Sequence, residues 1–193
     1  MTTYYQNLNF NIELLKDKHG IAHLLNTSNG KKPYHSLINI KEHINPTLLD
    51  FLAELHIFPT HCEMFYSPPN FFSNIHVDVR HGDSTKINWA FGGKNSLMNW
   101  YRPKDNIIRD TQNLSAIESK YIGYDRHEVD LLFSAPIGLP SVVQVGVPHN
   151  VVNPTEDRYC ISLVVSSVDK DNQRYRPTMQ ETINMLSKYL IPV

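Results

Sequence analysis

The sequence predicts a mainly β fold with flanking helices, arranged as a double-layer barrel or jelly roll. Three observations carry that expectation. From Cys62 to Ser166, short strand-like runs are separated by turn residues such as Pro68-Pro69-Asn70 and Gly92-Gly93-Lys94-Asn95. Helical periodicity is confined to the flanks, after Asn45 and again over 177–190. Within Arg158–Ser166, Tyr159, Ile161, Leu163 and Val165 alternate with Cys160, Ser162 and Val164, the period of a strand with two unlike faces.

Residues 1–30 are mixed, with Gly20 interrupting the apolar positions and Asn26-Thr27-Ser28-Asn29-Gly30 reading as a turn. His19 and His23 stand four apart, but the intervening Gly20 weakens a helix, so they read as ordinary residues. Tyr34–Ile40 reads as a strand. Asn45 then serves as an N-cap with Pro46 at the first helical position. Leu48, Leu49, Leu52 and Leu55 form the apolar face of that helix, and Pro59 is expected to end it. Strands are expected at Glu63–Ser67, Ile75–Val79, Lys86–Phe91, Leu97–Tyr101, Glu128–Phe133, Val142–Val147 and Arg158–Ser166, with a loop at 81–84. Residues 104–126 are polar and read as a long insertion on the rim, either a lid or a disordered segment. Thr178-x-x-Glu181 is a capping box, and Met179, Ile183, Leu186 and Leu190 form the stripe of a C-terminal helix over 177–190.

A chain of 193 residues with formal charge -1 fits one domain: a barrel core over about 62–166, support from 1–61 and the terminal helix. At this size roughly 70% of the extended surface is buried, enough for a core without staples. Hydrophobic residues at 41% and charged residues at 19% are globular values without a basic excess, so charge suggests neither nucleic acid nor an anionic membrane as the main partner. The two cysteines, Cys62 and Cys160, form no metal-type spacing and no disulfide framework, which fits a reducing compartment. No basic head precedes an apolar run near the N-terminus, and no stretch reaches the ~18 apolar residues of a membrane helix, so a cytoplasmic protein is expected.

Two stretches carry chemistry. In Ile75-His76-Val77-Asp78, a strand places His76 and Asp78 on one face. His149, held behind Pro148, completes a set of two histidines and one carboxylate if its strand lies beside theirs. Such a set occupies one face of a metal, with open positions opposite, as in non-haem Fe(II) oxygenases. Arg158 opens the strictly alternating strand, and a buried guanidinium needs an anionic partner. That partner is either a structural Asp or Glu or the carboxylate of a ligand.

Together, His76-x-Asp78, His149 and Arg158 resemble the 2-oxoglutarate/Fe(II)-dependent oxygenases, whose pattern is His-x-Asp, His and Arg on a double-stranded β-helix. Lys86-Ile-Asn-Trp-Ala-Phe-Gly-Gly93 followed by Met98-Asn-Trp-Tyr101 is similar to small aspartyl- or prolyl-hydroxylase-like members from bacteria and phages. The resemblance spans about 62–166. It implies Fe(II) held by His76, Asp78 and His149, with 2-oxoglutarate as cosubstrate and its far carboxylate on Arg158. It also implies hydroxylation of an amino-acid or peptidyl side chain with release of succinate and carbon dioxide. One departure is Cys160, which stands where some members have a serine that also holds the cosubstrate, so another group, such as a tyrosine, must assist Arg158.

Asn88 and Trp100 are candidates for substrate contact or for packing within the barrel, and Arg80 and His81 for the mouth of the site or a solvated loop. Two other functions compete. One is a cupin-like metal protein without 2-oxoglutarate, suggested by Gly146-x-x-His149-x-x-x-Asn153, although Asp78 stands where a cupin has its second histidine. The other is a non-catalytic jelly-roll binding module. The substrate, small molecule or peptide, and the oligomeric state have no readable code.

Overall fold

A computed structural model describes residues 3–17, 32–78, 83–104, 112–114, 120–136 and 138–192. His19, His23, Arg80 and His81 lie outside the described residues. The strands, in chain order, are β1 (Tyr5–Asn7), β2 (Tyr34–Ile38), β3 (Phe58–Ser67), β4 (Phe71–Phe72), β5 (Ile75–Asp78), β6 (Thr85–Gly92), β7 (Leu97–Pro103), β8 (Gln112–Leu114), β9 (Lys120–Tyr124), β10 (Val129–Pro136), β11 (Ser141–Gln144), β12 (His149–Asn153), β13 (Arg158–Val168) and β14 (Arg174–Tyr175). The helices are α1 (Ile40–His43), α2 (Pro46–Glu54) and α3 (Met179–Met185).

The strands form two antiparallel sheets, a β-sandwich. The first runs β1-β11-β6-β13-β3-β2, with β14 on β13; the second runs β10-β7-β12-β5-β9-β8, with β4 on β12. Side-chain parity sorts the first sheet. Cys62, Met64, Ile87, Trp89, Ile161, Leu163 and Val165 face outward and pack with Leu48 and Leu52 of α2 and with Met179 and Leu186 at the C-terminal helix. Their alternates, His61, Glu63, Phe65, Lys86, Asn88, Arg158, Cys160, Ser162 and Val164, face a cavity between the sheets. The helices therefore seal the back of the sheet, and its front is left for polar chemistry. Truncating a fully buried leucine of that seal, such as Leu52, costs about 2–5 kcal/mol.

α2 starts as expected: the Asn45 side chain accepts from Thr47 N at 3.0 Å, with Pro46 following. It ends earlier than Pro59. His56 adopts a left-handed φ of 58°, His56 N donates to Ala53 O and Ile57 N donates to Leu52 O. This is a Schellman ending, with Leu52 and Ile57 both fully buried against it. Pro59 instead lies inside β3 opposite Val165, next to a register shift in β13 and beyond the reach of β2, where its missing N–H costs the ladder nothing. The capping box at Thr178 and Glu181 forms, but α3 closes at Met185 and a single 3-10 turn, Ser187–Tyr189, follows.

The expectation of a patternless insertion over 104–126 is corrected. β8 and β9 lie within it, and β9 pairs directly with β5, placing Gly123 opposite His76 and Tyr121 opposite Asp78. Tyr121, Ile122 and Tyr124 carry the strand propensity, and Ile122 and Tyr124 are buried with Ile75, Val77 and Tyr101.

Candidate metal centre

β5 and β12 are antiparallel neighbours, and their register sets His149 directly opposite His76. Alternation then puts Asp78 on the same face, two residues from His76. His76 Nε2 lies 3.3 Å from Asp78 Oδ1 and His149 Nε2 lies 4.0 Å from it. One donor atom from each residue falls within 4.8 Å of the other two. Bonds of about 2.1 Å at right angles separate donors by about 3 Å, so closing on a metal requires shifts below about 1 Å.

The tautomers are set by the backbone. His76 Nδ1 is 2.8 Å from the carbonyl of Asn74, and His149 Nδ1 is 2.9 Å from the carbonyl of Val147. A carbonyl only accepts, so each Nδ1 carries a proton; neutral His149 then presents its Nε2 lone pair to the cluster, whereas His76 Nε2 shares a proton with Asp78 that a metal would displace. This backbone anchoring of ligating imidazoles is typical of metal sites. Two imidazole nitrogens and a carboxylate suit Fe(II), Mn(II) or a similar divalent ion. A second acidic-imidazole cluster, Asp125, His127 and Glu128, is mostly exposed and is occupied in capping its own 3-10 turn.

Electrostatics tune the three residues differently. Burial pushes the His149 pKa down to about 4, and the neighbouring His76 adds to this, so His149 is neutral at physiological pH. Burial also works against charge on His76, but the hydrogen bond and charge of Asp78 outweigh it and raise its pKa above the usual imidazole value. Burial alone would raise the Asp78 pKa, yet Lys86, His76 and His149 together hold it well below the carboxylate range. Lys86 Nζ sits 2.6 Å from both Asp78 Oδ2 and Glu63 Oε2. Glu63 Oε1 in turn faces His35 Nε2 at 3.7 Å and His61 Nε2 at 3.6 Å. Sequence reasoning missed Lys86 and Glu63. The available signal was a charged residue at an alternating position of a strand whose other face is core, where a solvent-facing reading fails once both sheets are buried.

The cavity holding these groups has a volume of about 630 Å³ and is lined by both sheets. Arg158 lies in its wall, 2% exposed, with its Nε buried and without a hydrogen-bond partner. No carboxylate among the described residues forms an ion pair with it. Its aliphatic stem runs over Gly93, where a Cβ would meet Arg158 Cβ and Cγ at 2.7 Å. Burial raises the pKa of the adjacent Cys160 thiol, so that group stays protonated. Tyr66, also in the wall, gives its hydroxyl to Asp157 at 2.7 Å. Asn88 lines the cavity and accepts from Ser162 Oγ at 2.6 Å. Trp100 is fully buried behind His149; its indole N–H donates to Gln144 O at 2.7 Å and its ring packs on Tyr4, Tyr5 and Phe133. Tyr121 closes over His76 with ring centroids 5.6 Å apart.

The chain matches no protein-family model and no curated protein. Among solved structures it is similar to peruvianin-I, a cysteine peptidase from Thevetia peruviana latex, at 14% identity and TM-score 0.37, over 78% of this chain and 71% of that one. It is also similar to an oxidoreductase of the 2OG-Fe(II) oxygenase family from Burkholderia pseudomallei, at 10% identity and TM-score 0.39, over 82% of this chain and 84% of that one. Similarity at this level carries no argument about activity. No helix among the described residues is long and apolar enough to cross a membrane.

Proposed function

We propose that this chain is an Fe(II)- and 2-oxoglutarate-dependent dioxygenase that hydroxylates an amino-acid or peptidyl side chain. Its 193 residues form a single oxygenase domain on a double-stranded β-helix. The observation that carries the proposal is a pairing within one cavity: the Nε2 atoms of His76 and His149 converge with Asp78, and a buried guanidinium, Arg158, has no carboxylate partner among the described residues. An uncompensated buried arginine is costly in a protein that binds nothing there. Iron with 2-oxoglutarate would supply the oxidising chemistry: R–H, O2 and 2-oxoglutarate give R–OH, succinate and carbon dioxide.

The protein's own residues position and insulate. His76, Asp78 and His149 would hold the metal by one face, leaving the opposite positions free. Arg158 would hold the distal carboxylate of 2-oxoglutarate by charge-assisted hydrogen bonds. Arg158 is buried in the cavity wall, where such a contact is stronger than in water. The substrate enters the remaining cavity, beside Tyr121 and Asn88.

A cupin-like reading keeps the metal but leaves Arg158 without purpose, and a non-catalytic module leaves both without purpose. The deciding experiment loads the protein with Fe(II) and 2-oxoglutarate anaerobically, admits oxygen, and screens free amino acids and peptides for succinate release. The proposal expects succinate that requires both iron and 2-oxoglutarate. Protein that binds iron but never yields succinate favours the cupin-like reading, and protein that binds no metal overturns both enzymatic readings.

A further inference from the structure

We infer that Lys86, anchored by Glu63, is a positioning residue that reserves one oxygen of Asp78 and so keeps the metal carboxylate monodentate. The inference rests on the proposed metal centre. The two oxygens of Asp78 are sorted by their neighbours: Oδ1 faces His76 Nε2 at 3.3 Å and His149 Nε2 at 4.0 Å, whereas Oδ2 is claimed by Lys86 Nζ at 2.6 Å. Lys86 comes from β6 of the opposite sheet. Its ammonium is fixed a second time by Glu63 Oε2 at 2.6 Å, and Glu63 is 3% exposed. The cation therefore has little freedom to release Oδ2.

The arrangement matters because carboxylates bind metals through one oxygen or two. Three protein donors on an octahedral ion leave about three positions open. A chelating cosubstrate would take two of them and leave one. If Asp78 swung Oδ2 onto the metal, only about two positions would remain, and the cosubstrate would fill both. A single strong ion pair from the facing sheet prevents this. Lys86 does not ligate, and it need not touch substrate.

The test counts water on the metal. The full chain is loaded with Mn(II), which is redox-inert here, and the number of exchangeable bound waters is measured by water-proton relaxation. Wild type is expected to show about three. The double variant Lys86→Met/Glu63→Gln removes both buried charges together, avoiding an orphaned carboxylate, and is expected to show about two. Lys86→Arg keeps a cationic donor and should restore about three. If the double variant does not fold, Lys86→Leu/Glu63→Gln, which likewise leaves no donor for Oδ2 and no orphaned Glu63 carboxylate, carries the same expectation of a lower count. A count unchanged from wild type in the charge-removed variants, even with weaker Mn(II) binding, overturns the inference and leaves Lys86 a purely structural tie between sheets. Wild type that takes up no Mn(II) overturns the metal centre itself, and this inference with it.

Discussion

Gly93→Ala is a perturbation whose consequence can be worked out before it is made. Gly93 has φ of +67°, and its N–H donates to Asp157 O at 3.0 Å, so the turn between β6 and β7 is pinned at that conformation. An added methyl would lie 2.7 Å from Arg158 Cβ and Cγ and 3.0 Å from Cδ. The left-handed backbone alone costs about 1–2 kcal/mol for a residue with a Cβ. Overpacking against the stem adds about 1–3 kcal/mol. Relief comes when the Arg158 stem leans away, which carries its guanidinium out of register. Losing one charge-assisted hydrogen bond to the cosubstrate costs about 1.5–3 kcal/mol, so the dissociation constant for 2-oxoglutarate should rise by roughly 10- to 150-fold. The assay is calorimetric titration of the Mn(II)-loaded protein with 2-oxoglutarate in the absence of oxygen, alongside denaturant unfolding. Metal affinity should be untouched, because no ligand moves. A variant that loses stability yet binds 2-oxoglutarate as wild type does would refute the role given to Arg158.

Further outcomes follow from the same geometry. Arg158→Ala should weaken 2-oxoglutarate binding by about 2–5 kcal/mol, the range for truncating one side of a buried charge pair, while Mn(II) titration stays as in wild type; equal loss of both would count against the anchor. Asn153→Ala should destabilise the fold by about 2–4 kcal/mol in denaturant melts, because the two N–H groups of this fully buried amide are shared among Ser67 O, Pro68 O and Glu156 O, 2.8, 2.9 and 2.6 Å from its nitrogen, and so tie the β12–β13 turn to the end of β3. Acid should destabilise the metal-free protein in two stages. His149, held neutral with a pKa of about 4, loses stability as pH falls from the unfolded imidazole value of about 6.5. Glu63 and Asp78, both held below the carboxylate range, contribute stability that is present above about pH 4.5 and lost as pH falls through their folded values. His76 runs the other way: its pKa is raised by Asp78, so a proton competes for the same nitrogen and Mn(II) affinity in titrations should begin to fall at a higher pH than the ordinary imidazole value of about 6.5 would give.

The convergence of His76, Asp78 and His149 was legible because it depends on short-range rules. His76 and Asp78 share a face by alternation alone, and His149 needed only a neighbouring strand. The β-rich character, the Asn45 cap and the Thr178 capping box were legible for the same reason. What failed was non-local. β9 hides in a polar stretch because its strand state comes from pairing with β5. Lys86 and Glu63 look like solvent-facing residues until the second sheet covers them. The end of α2 was misplaced because His56, not Pro59, supplies the stop, and a left-handed histidine has no sequence signature as strong as glycine.

His76 and His149 each take their orientation from a carbonyl two residues earlier in their own chain segment. Many metalloproteins give that task to a remote acid, which ties the centre to a third part of the chain. Here the aim of each ring is inherited from a tripeptide. The centre can thus be transplanted as two short peptides, and the scaffold needs only to hold them side by side. Grafting 74–78 and 147–149 onto paired strands of another protein should carry over the protonation of each Nδ1 with no acid beyond Asp78.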